Sequence, residues 1–296
     1  MKASHQMSIA LVVVAIGAAV FWQYTSADYD NTAAHAQDQP IAQGDDAPRL
    51  RAQWPGTSTS APMGTTVLDN HSAKRLMQSL EEHRAPAGQS AYVRLQASQL
   101  CDESQLLGSD RPLTESTRAL AAFRTSFCDD MHVSADSAQQ EFLSLPADDP
   151  YVLAYGMSSE LFEVAGAGTD KADEVAALAQ ELGKIMLSPE SGLDAVIAAE
   201  ALQATGLISP RVLALAKASG WSLKPSELSD AQLLGIQMNA CRKFGGCGTN
   251  QLITLKACSE ASNCELGLDA NGVWRNRYSP SVYEAGKAFA ESIAGK

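Results

Sequence analysis

The sequence predicts an all-α fold, an irregular multi-helix bundle or short helical superhelix. It is stapled by disulfides and follows an N-terminal membrane helix and a disordered linker. Three observations predict it. Apolar residues recur at helical spacing from residue 69 onward. Capping residues placed directly before prolines punctuate the middle of the chain. Alanine is abundant, aromatics are 6%, and β-branched runs are scarce after the first 24 residues, a composition that favours helix over sheet.

The N-terminal element is residues 7–22, MSIALVVVAIGAAVFW, which carry no charge between Lys2 and Asp28. As a helix this run spans roughly 24 Å at about 1.5 Å per residue. That is short for a hydrocarbon core about 30 Å thick and long for a signal-peptide core of about 7–15 residues. Two readings therefore stand. In one, the segment from Met7 through Val14 to Trp22 is a retained anchor within residues 1–24, with Phe21, Trp22 and Tyr24 at the outer interface. In the other, a peptidase cuts after Ala27, using the small residues Thr25, Ser26 and Ala27.

Both readings export the remainder of the chain. Lys2 precedes the run and Asp28 and Asp30 come after it, so the positive-inside bias keeps the N-terminus in the cytoplasm. The expected location is the bacterial inner membrane, single-pass, with the C-terminal domain in the periplasm. A cleaved chain would be periplasmic or secreted. The membrane is then one partner, reached through the N-terminal helix.

Residues 25–66 read as a linker. They hold Pro40, Pro48, Pro55 and Pro62 among polar residues and show almost no apolar pattern, too little burial to offset ordering entropy. About 40 solvated residues span roughly 35 Å root-mean-square. Residues 67–296 form the expected helical domain.

Within that domain, Ala73, Leu76, Met77 and Leu80 share one helix face, with Asp69 or Asn70 as cap. Tyr92, Leu95 and Leu100 mark a second helix ending at Cys101. A third runs from about Thr114 to Cys128, with Leu120, Phe123 and Phe127 on its stripe. A short helix over 137–145 stops at Pro146. Asp149, Ser188, Ser209 and Ser279 each precede a proline, so helices should begin at 150, 189, 210 and 280. Thr169 or Asp170 opens a helix carrying Val175, Leu178, Leu182 and Ile185. Ser229 opens another, with Leu233, Leu234, Ile236 and Met238, ending at Cys241. Gly166, Gly168, Gly206 and Gly220 sit where helices should stop. The total is about ten to twelve short helices without a strand. Their uneven spacing excludes a fixed repeat.

Six cysteines, Cys101, Cys128, Cys241, Cys247, Cys258 and Cys264, all lie beyond the apolar run. An even number in an exported chain reads as three disulfides. The last four form a Cys-rich part over 241–264, with five, ten and five residues between successive cysteines. A helix between the inner two would hold their Cα atoms roughly 15 Å apart, beyond the ~7 Å reach of a disulfide. This removes Cys247–Cys258. Local pairs Cys241–Cys247 and Cys258–Cys264 are favoured, because Gly245, Gly246 and Gly248 suit a tight loop. Crossed pairs, Cys241–Cys258 with Cys247–Cys264, remain the alternative. Cys101–Cys128 is the third bond.

Metal and cofactor chemistry finds little support. Five-residue spacing is wider than the C-x2–4-C of structural zinc, Cys128 and His132 lack a matched second pair, and no C-x-x-C is present. No H-E-x-x-H, P-loop or G-x-G-x-x-G occurs. The run Gly156-Met157-Ser158-Ser159-Glu160 lacks the final glycine of a nucleophile elbow. His71 and His83 lie among Lys74, Arg75, Glu81 and Glu82 on a polar face. No metal or cofactor is expected. The net charge of −12 disfavours nucleic acid, whose phosphates need Lys and Arg.

Trp221, Trp274, Arg275, Arg277 and Tyr278 are the candidate interface anchors, since aromatics with arginine are typical of binding hot spots. The competing reading is that Trp274 and Tyr278, four apart, pack the last helix onto the core. The chain is thus expected to act as an interaction or scaffold protein for an unknown protein partner, without identifiable catalysis. The alternative is an envelope hydrolase using paired carboxylates, for which Glu160 and Glu163 have the sequence spacing.

Overall fold

The computed structural model describes residues 67–294, apart from 103–114, 130, 132, 168–170, 262–263 and 266. The expected anchor (Met7, Val14, Trp22) and linker lie outside the described residues, as do His132, Gly168, Thr169 and Asp170. Among the described residues no helix is long and apolar enough to cross a membrane.

Those residues form twelve α-helices and no strand. They are α1 (Ala73–Glu82), α2 (Ala87–Cys101), α3 (Glu115–Cys128), α4 (Ala135–Leu143), α5 (Pro150–Ala167) and α6 (Ala172–Leu187). The second half holds α7 (Asp194–Ala204), α8 (Pro210–Ser219), α9 (Pro225–Phe244), α10 (Leu252–Glu260), α11 (Ala270–Arg277) and α12 (Pro280–Ala294).

Capping residues explain most of the starts. The Asp149 carboxylate accepts from the Tyr151 N–H (2.9 Å) at α5, and Ser209 from Val212 (3.4 Å) at α8. Ser279 accepts from Val282 (3.4 Å) at α12. Each precedes a proline at the first helical position, where the missing N–H costs nothing. Gly206 and Gly220, at φ +70° and +66°, succeed the ends of α7 and α8 in the left-handed conformation glycine favours.

Several starts differ from expectation. Ser72, rather than Asp69 or Asn70, caps α1 by accepting from the Arg75 N–H (3.3 Å). Asp69 instead accepts from the Gly246 N–H (2.9 Å). Pro189 opens a turn, because Ser188 comes directly after the last residue of α6 and Ser191 donates back to the Ile185 carbonyl (2.6 Å). The next helix begins only at Asp194. Ser229 is buried inside α9, which starts at Pro225, where the Glu227 side chain accepts from the Lys224 N–H (2.8 Å). The same helix continues past Cys241 to Phe244. Gly166 lies within α5.

Helix α9 is the axis of the fold. Residues 231–237 are all buried, so it is covered on every side rather than along one stripe. It packs mainly on α12 and α7, and α7 in turn on α5 and α6. On the other flank α2 packs against α4, where Tyr92, Phe142, Tyr151 and Tyr155 form a ring cluster with centroid distances of 5.4–6.2 Å. Polar side chains fix the joints. Gln232 is fully buried, accepts from the Ser209 N–H (2.8 Å) and donates to the Leu207 carbonyl (3.4 Å). Arg242 and Arg211 donate to the Ala290 and Ser292 carbonyls of α12 (2.5 and 2.6 Å).

All six cysteines are paired. Cys101–Cys128, Cys241–Cys247 and Cys258–Cys264 have Cα separations of 5.4, 5.7 and 5.1 Å. The local arrangement of the last four is therefore the one present, and the crossed one is not. Each short pair ties a helix C-terminus to the loop that leaves it.

Glycine and cysteine substitutions test this packing. A Cβ on Gly235 would lie 2.8 Å from the Gly286 carbonyl oxygen and 2.6 Å from Phe289 Cδ1, across the α9–α12 contact. Gly235→Ala should therefore lower the urea-unfolding free energy by about 1–3 kcal/mol through overpacking, despite alanine's better helix propensity. Gly156, exposed on α5 with nothing within 4 Å of an added Cβ, should show the opposite sign, a gain of about 0.5–1 kcal/mol. In the chain-entropy account, replacing Cys101 and Cys128 together by serine should cost about 3.5 kcal/mol, and replacing Cys241 and Cys247 about 2 kcal/mol.

Candidate functional site

Helices α2, α7, α9 and α10 converge on a charged network beside a small cavity. Glu200 on α7 accepts from Lys256 on α10, with Nζ–Oε1 at 2.5 Å. One turn along α10, Glu260 accepts from Arg277 of α11 (2.7 Å). Asp230 of α9 accepts from Gln203 of α7 (2.9 Å). Both ion pairs are partly shielded, with side-chain exposures of 18–31%, and so are screened less than surface pairs. Burial lowers the Lys256 ammonium, but Glu200 outweighs it and holds the group above the usual lysine value. Burial pushes the Tyr92 hydroxyl up and the Asp230 carboxyl up, the latter opposed by Gln203.

The cavity has a volume of about 40 Å³. Its floor and walls are the buried side chains of Leu68, Tyr92, Val93, Leu193, Val196, Gln237, Ala240, Leu252 and Ala257. Gln96, Ile253 and Lys256, all half-buried, complete the lining. Gln237 is 6% exposed and Tyr92 4%. No side-chain hydrogen bond joins either of them to another described residue. The lining is mainly apolar, with Tyr92, Gln96, Gln237 and Lys256 as its polar members.

The start of α7 positions one wall. Asp194 is 5% exposed and accepts from the Gly192 N–H (2.5 Å), while the Leu193 N–H donates to the Tyr151 hydroxyl (3.2 Å). Leu193 and Val196 are thereby fixed against the cavity.

The five expected interface residues differ in burial and in what they touch. Trp274 is 1% exposed and belongs to the core, because α11 buries the face carrying Ala270, Val273 and Trp274. Trp221 and Tyr278 are half-buried and pack against Ala231, Val282 and Ala285. Arg277 is engaged by Glu260, its guanidinium also lying 5.2 Å from the Tyr278 ring centroid. Arg275 is the exposed member, 5.1 Å from the Tyr283 ring centroid.

The other candidates are accounted for locally. Ser158 and Ser159 lie within α5 and donate to the Ala154 (2.7 Å) and Tyr155 (3.0 Å) carbonyls, so no strand-to-helix elbow exists there. Glu160 and Glu163 are both exposed on α5. His71 and His83 lie within hydrogen-bond distance of the Thr249 (3.0 Å) and Ser79 (2.7 Å) carbonyls. No group of three His, Cys, Asp or Glu side chains among the described residues is arranged to hold a metal ion.

Sequence reasoning missed Tyr92, Glu200, Gln237 and Lys256 as site residues. The signal was present: Gln237 and Lys256 interrupt the apolar runs LLGIQMNA and LITLKACS at positions facing the core. No family model, curated protein or solved structure matches the chain.

Burial raises the Asp194 carboxyl above the ordinary aspartate value of 3.8, against the opposing backbone donors of Gly192 and Ala195. A raised carboxyl favours the folded state while it is protonated. That contribution is lost as pH rises through the raised value. The unfolding free energy of the native chain, relative to Asp194→Asn, should therefore fall as pH rises from 4 to 7 in urea titrations. A flat or rising difference would contradict the assignment.

Proposed function

We propose that the chain is an exported binding protein of the bacterial cell envelope. Its helical body, residues 67–296, works outside the cytoplasm, either on the anchor formed by residues 7–22 or released after Ala27, and holds a partner rather than transforming one. The observation that carries the reading is that all six cysteines stand in three disulfide pairs. Such pairing persists in oxidising compartments and is rare where glutathione keeps thiols reduced. The uncharged apolar run near the N-terminus is independent support. Binding is favoured over catalysis because the hydroxyls of Ser158 and Ser159 are spent on helix carbonyls and Glu160 and Glu163 are exposed to solvent. The chain is acidic on balance, which suits a protein or small-molecule partner better than nucleic acid.

The test is the intact mass of the native protein taken from cell envelopes, with thiol alkylation before and after reduction. The expected result is no label before reduction and six after it, on a chain that is either whole or lacks residues 1–27. Six labels without reduction would overturn the export reading. Cross-linking in intact envelopes should join the chain to a second protein, and a chain that stays at its own mass would contradict the binding half of the proposal.

A further inference from the structure

We infer that the outer half of the α5–α6 helix pair docks a cationic amphipathic helix of a partner protein, which covers the apolar stripes that this pair leaves open. The inference rests on the reading of the chain as a binding protein, names the partner's chemistry, and does not depend on export.

Both helices carry their core-facing stripe past the end of the core. On α5, Ala154, Ser158 and Leu161 are buried on one face, and Ala165, the next position on that face, is exposed. On α6, Val175, Leu178, Leu182 and Ile185 share a face. Leu182 and Ile185 are buried, but Val175 and Leu178 are only half-buried. No described residue from Phe162 to Glu181 is buried. The uncovered length is about 9 Å on α5, from Phe162 to Ala167, and about 15 Å on α6, from Ala172 to Glu181.

The two open stretches lie side by side. Helix α5 ends at Ala167, α6 begins at Ala172, and the two pack on each other as an antiparallel pair. Phe162 and Ala177 stand equally far from these ends, about 7.5 Å along each helix, and both are exposed. Phe162, at 38% exposure, is the one aromatic among the exposed large apolar side chains of the described residues. An apolar stripe on each of two adjacent helices is the surface that a third helix covers, reading it through apolar anchors at helical spacing.

Charge selects among the possible occupants. Glu160, Glu163, Asp173, Glu174 and Glu181 are all exposed along this stretch. Lys171 and Lys184 pair with Glu174 and Glu181 (2.6 Å each), which leaves Glu160, Glu163 and Asp173 without an ion-pair partner among the described residues. A partner helix with lysine or arginine beside its apolar face answers these carboxylates, and such complementarity sets partner choice. A second copy of the chain would bring acid against acid, and an anionic lipid surface would be repelled in the same way.

The probe is a synthetic leucine–lysine amphipathic helix about two heptads long, with a twin carrying glutamate in place of lysine. Each is titrated into the full chain purified with its disulfides intact. The leucine–lysine helix should shift the methyl resonances of Val175 and Leu178 saturably, and the glutamate twin should not. Phe162→Ala should weaken binding at least about fivefold, and Glu160→Lys with Glu163→Lys at least about tenfold. Glu81→Lys with Glu82→Lys makes the same charge change at exposed positions of α1. It should weaken binding less than about twofold, which separates docking from general attraction to an acidic chain. The inference is overturned if Val175 and Leu178 do not shift, if the glutamate twin binds equally, or if the α1 variant loses as much as the α5 variant. Self-association abolished by Phe162→Ala would assign the face to a second copy, and shifts on adding phosphatidylglycerol vesicles would assign it to the membrane. Either result overturns the inference. In intact envelopes the two α5 variants should lose the cross-link to the partner. A native-level cross-link in both would overturn this inference and leave the binding reading standing, whereas a native chain without any cross-link would overturn that reading.

Discussion

The turn at Gly245 and Gly246 ties four separated parts of the chain through backbone groups. The Leu68 N–H donates to the Phe244 carbonyl (2.9 Å), and Asp69 accepts from Gly246 (2.9 Å). The Ile253 N–H donates to the Gly246 carbonyl (2.9 Å), and the Ala270 N–H to the Cys247 carbonyl (3.0 Å). The start of the described chain, the end of α9, the start of α10 and the start of α11 are therefore held at one place. Only glycine serves there. Gly245 and Gly246 have φ of +77° and +81°, and a Cβ on either would meet Asp69 or the Leu68 side chain at less than 3 Å. Cys241–Cys247 closes the same turn covalently. Leu68, fixed by this turn, is also a wall of the cavity.

A helix buried on all sides has to settle its polar residues inside the protein, and α9 does so unevenly. Gln232 is satisfied by the Ser209 and Leu207 backbone groups and fixes the approach to α8. Gln237, a little more than one turn later, faces the cavity instead. The two glutamines have the same chemistry, but one is spent on architecture and the other is left available. The same division appears among the charges. Arg242 and Arg211 hold α12 in place through carbonyls, whereas Lys256, which lines the cavity, and Arg277 pair with carboxylates.

Much of the fold was legible because capping chemistry is local. Asp149, Ser209 and Ser279 before prolines marked correct starts, and glycines at 206 and 220 marked correct stops. Ser188–Pro189 failed because a serine and proline just past a helix end also serve as a stop signal. At that point the preceding helix had only just finished at Leu187. The disulfide pairing was legible from distance alone, since a helix between Cys247 and Cys258 leaves few ways to close the bonds. The site was much less legible. Trp274 and Tyr278 looked like anchors by residue type, but Ala270, Val273 and Trp274 make a short apolar stripe at i, i+3 and i+4, and it is this face that α11 turns inward. Gln237 and Lys256 could be seen as interruptions of apolar runs, yet that Lys256 meets Glu200, 56 positions away, and that Gln237 and Lys256 line one cavity with Tyr92 depends on tertiary packing.

The three disulfides join the first cysteine to the second, the third to the fourth, and the fifth to the sixth. Of the roughly 15 ways to pair six cysteines, this is the one that a chain reaches by bonding each new thiol to the one that emerged just before it. Threaded through a membrane from its N-terminus into an oxidant, such a chain can complete each bond before the next pair appears. On that proposed route no bond would have to be broken and remade to reach the observed pairing.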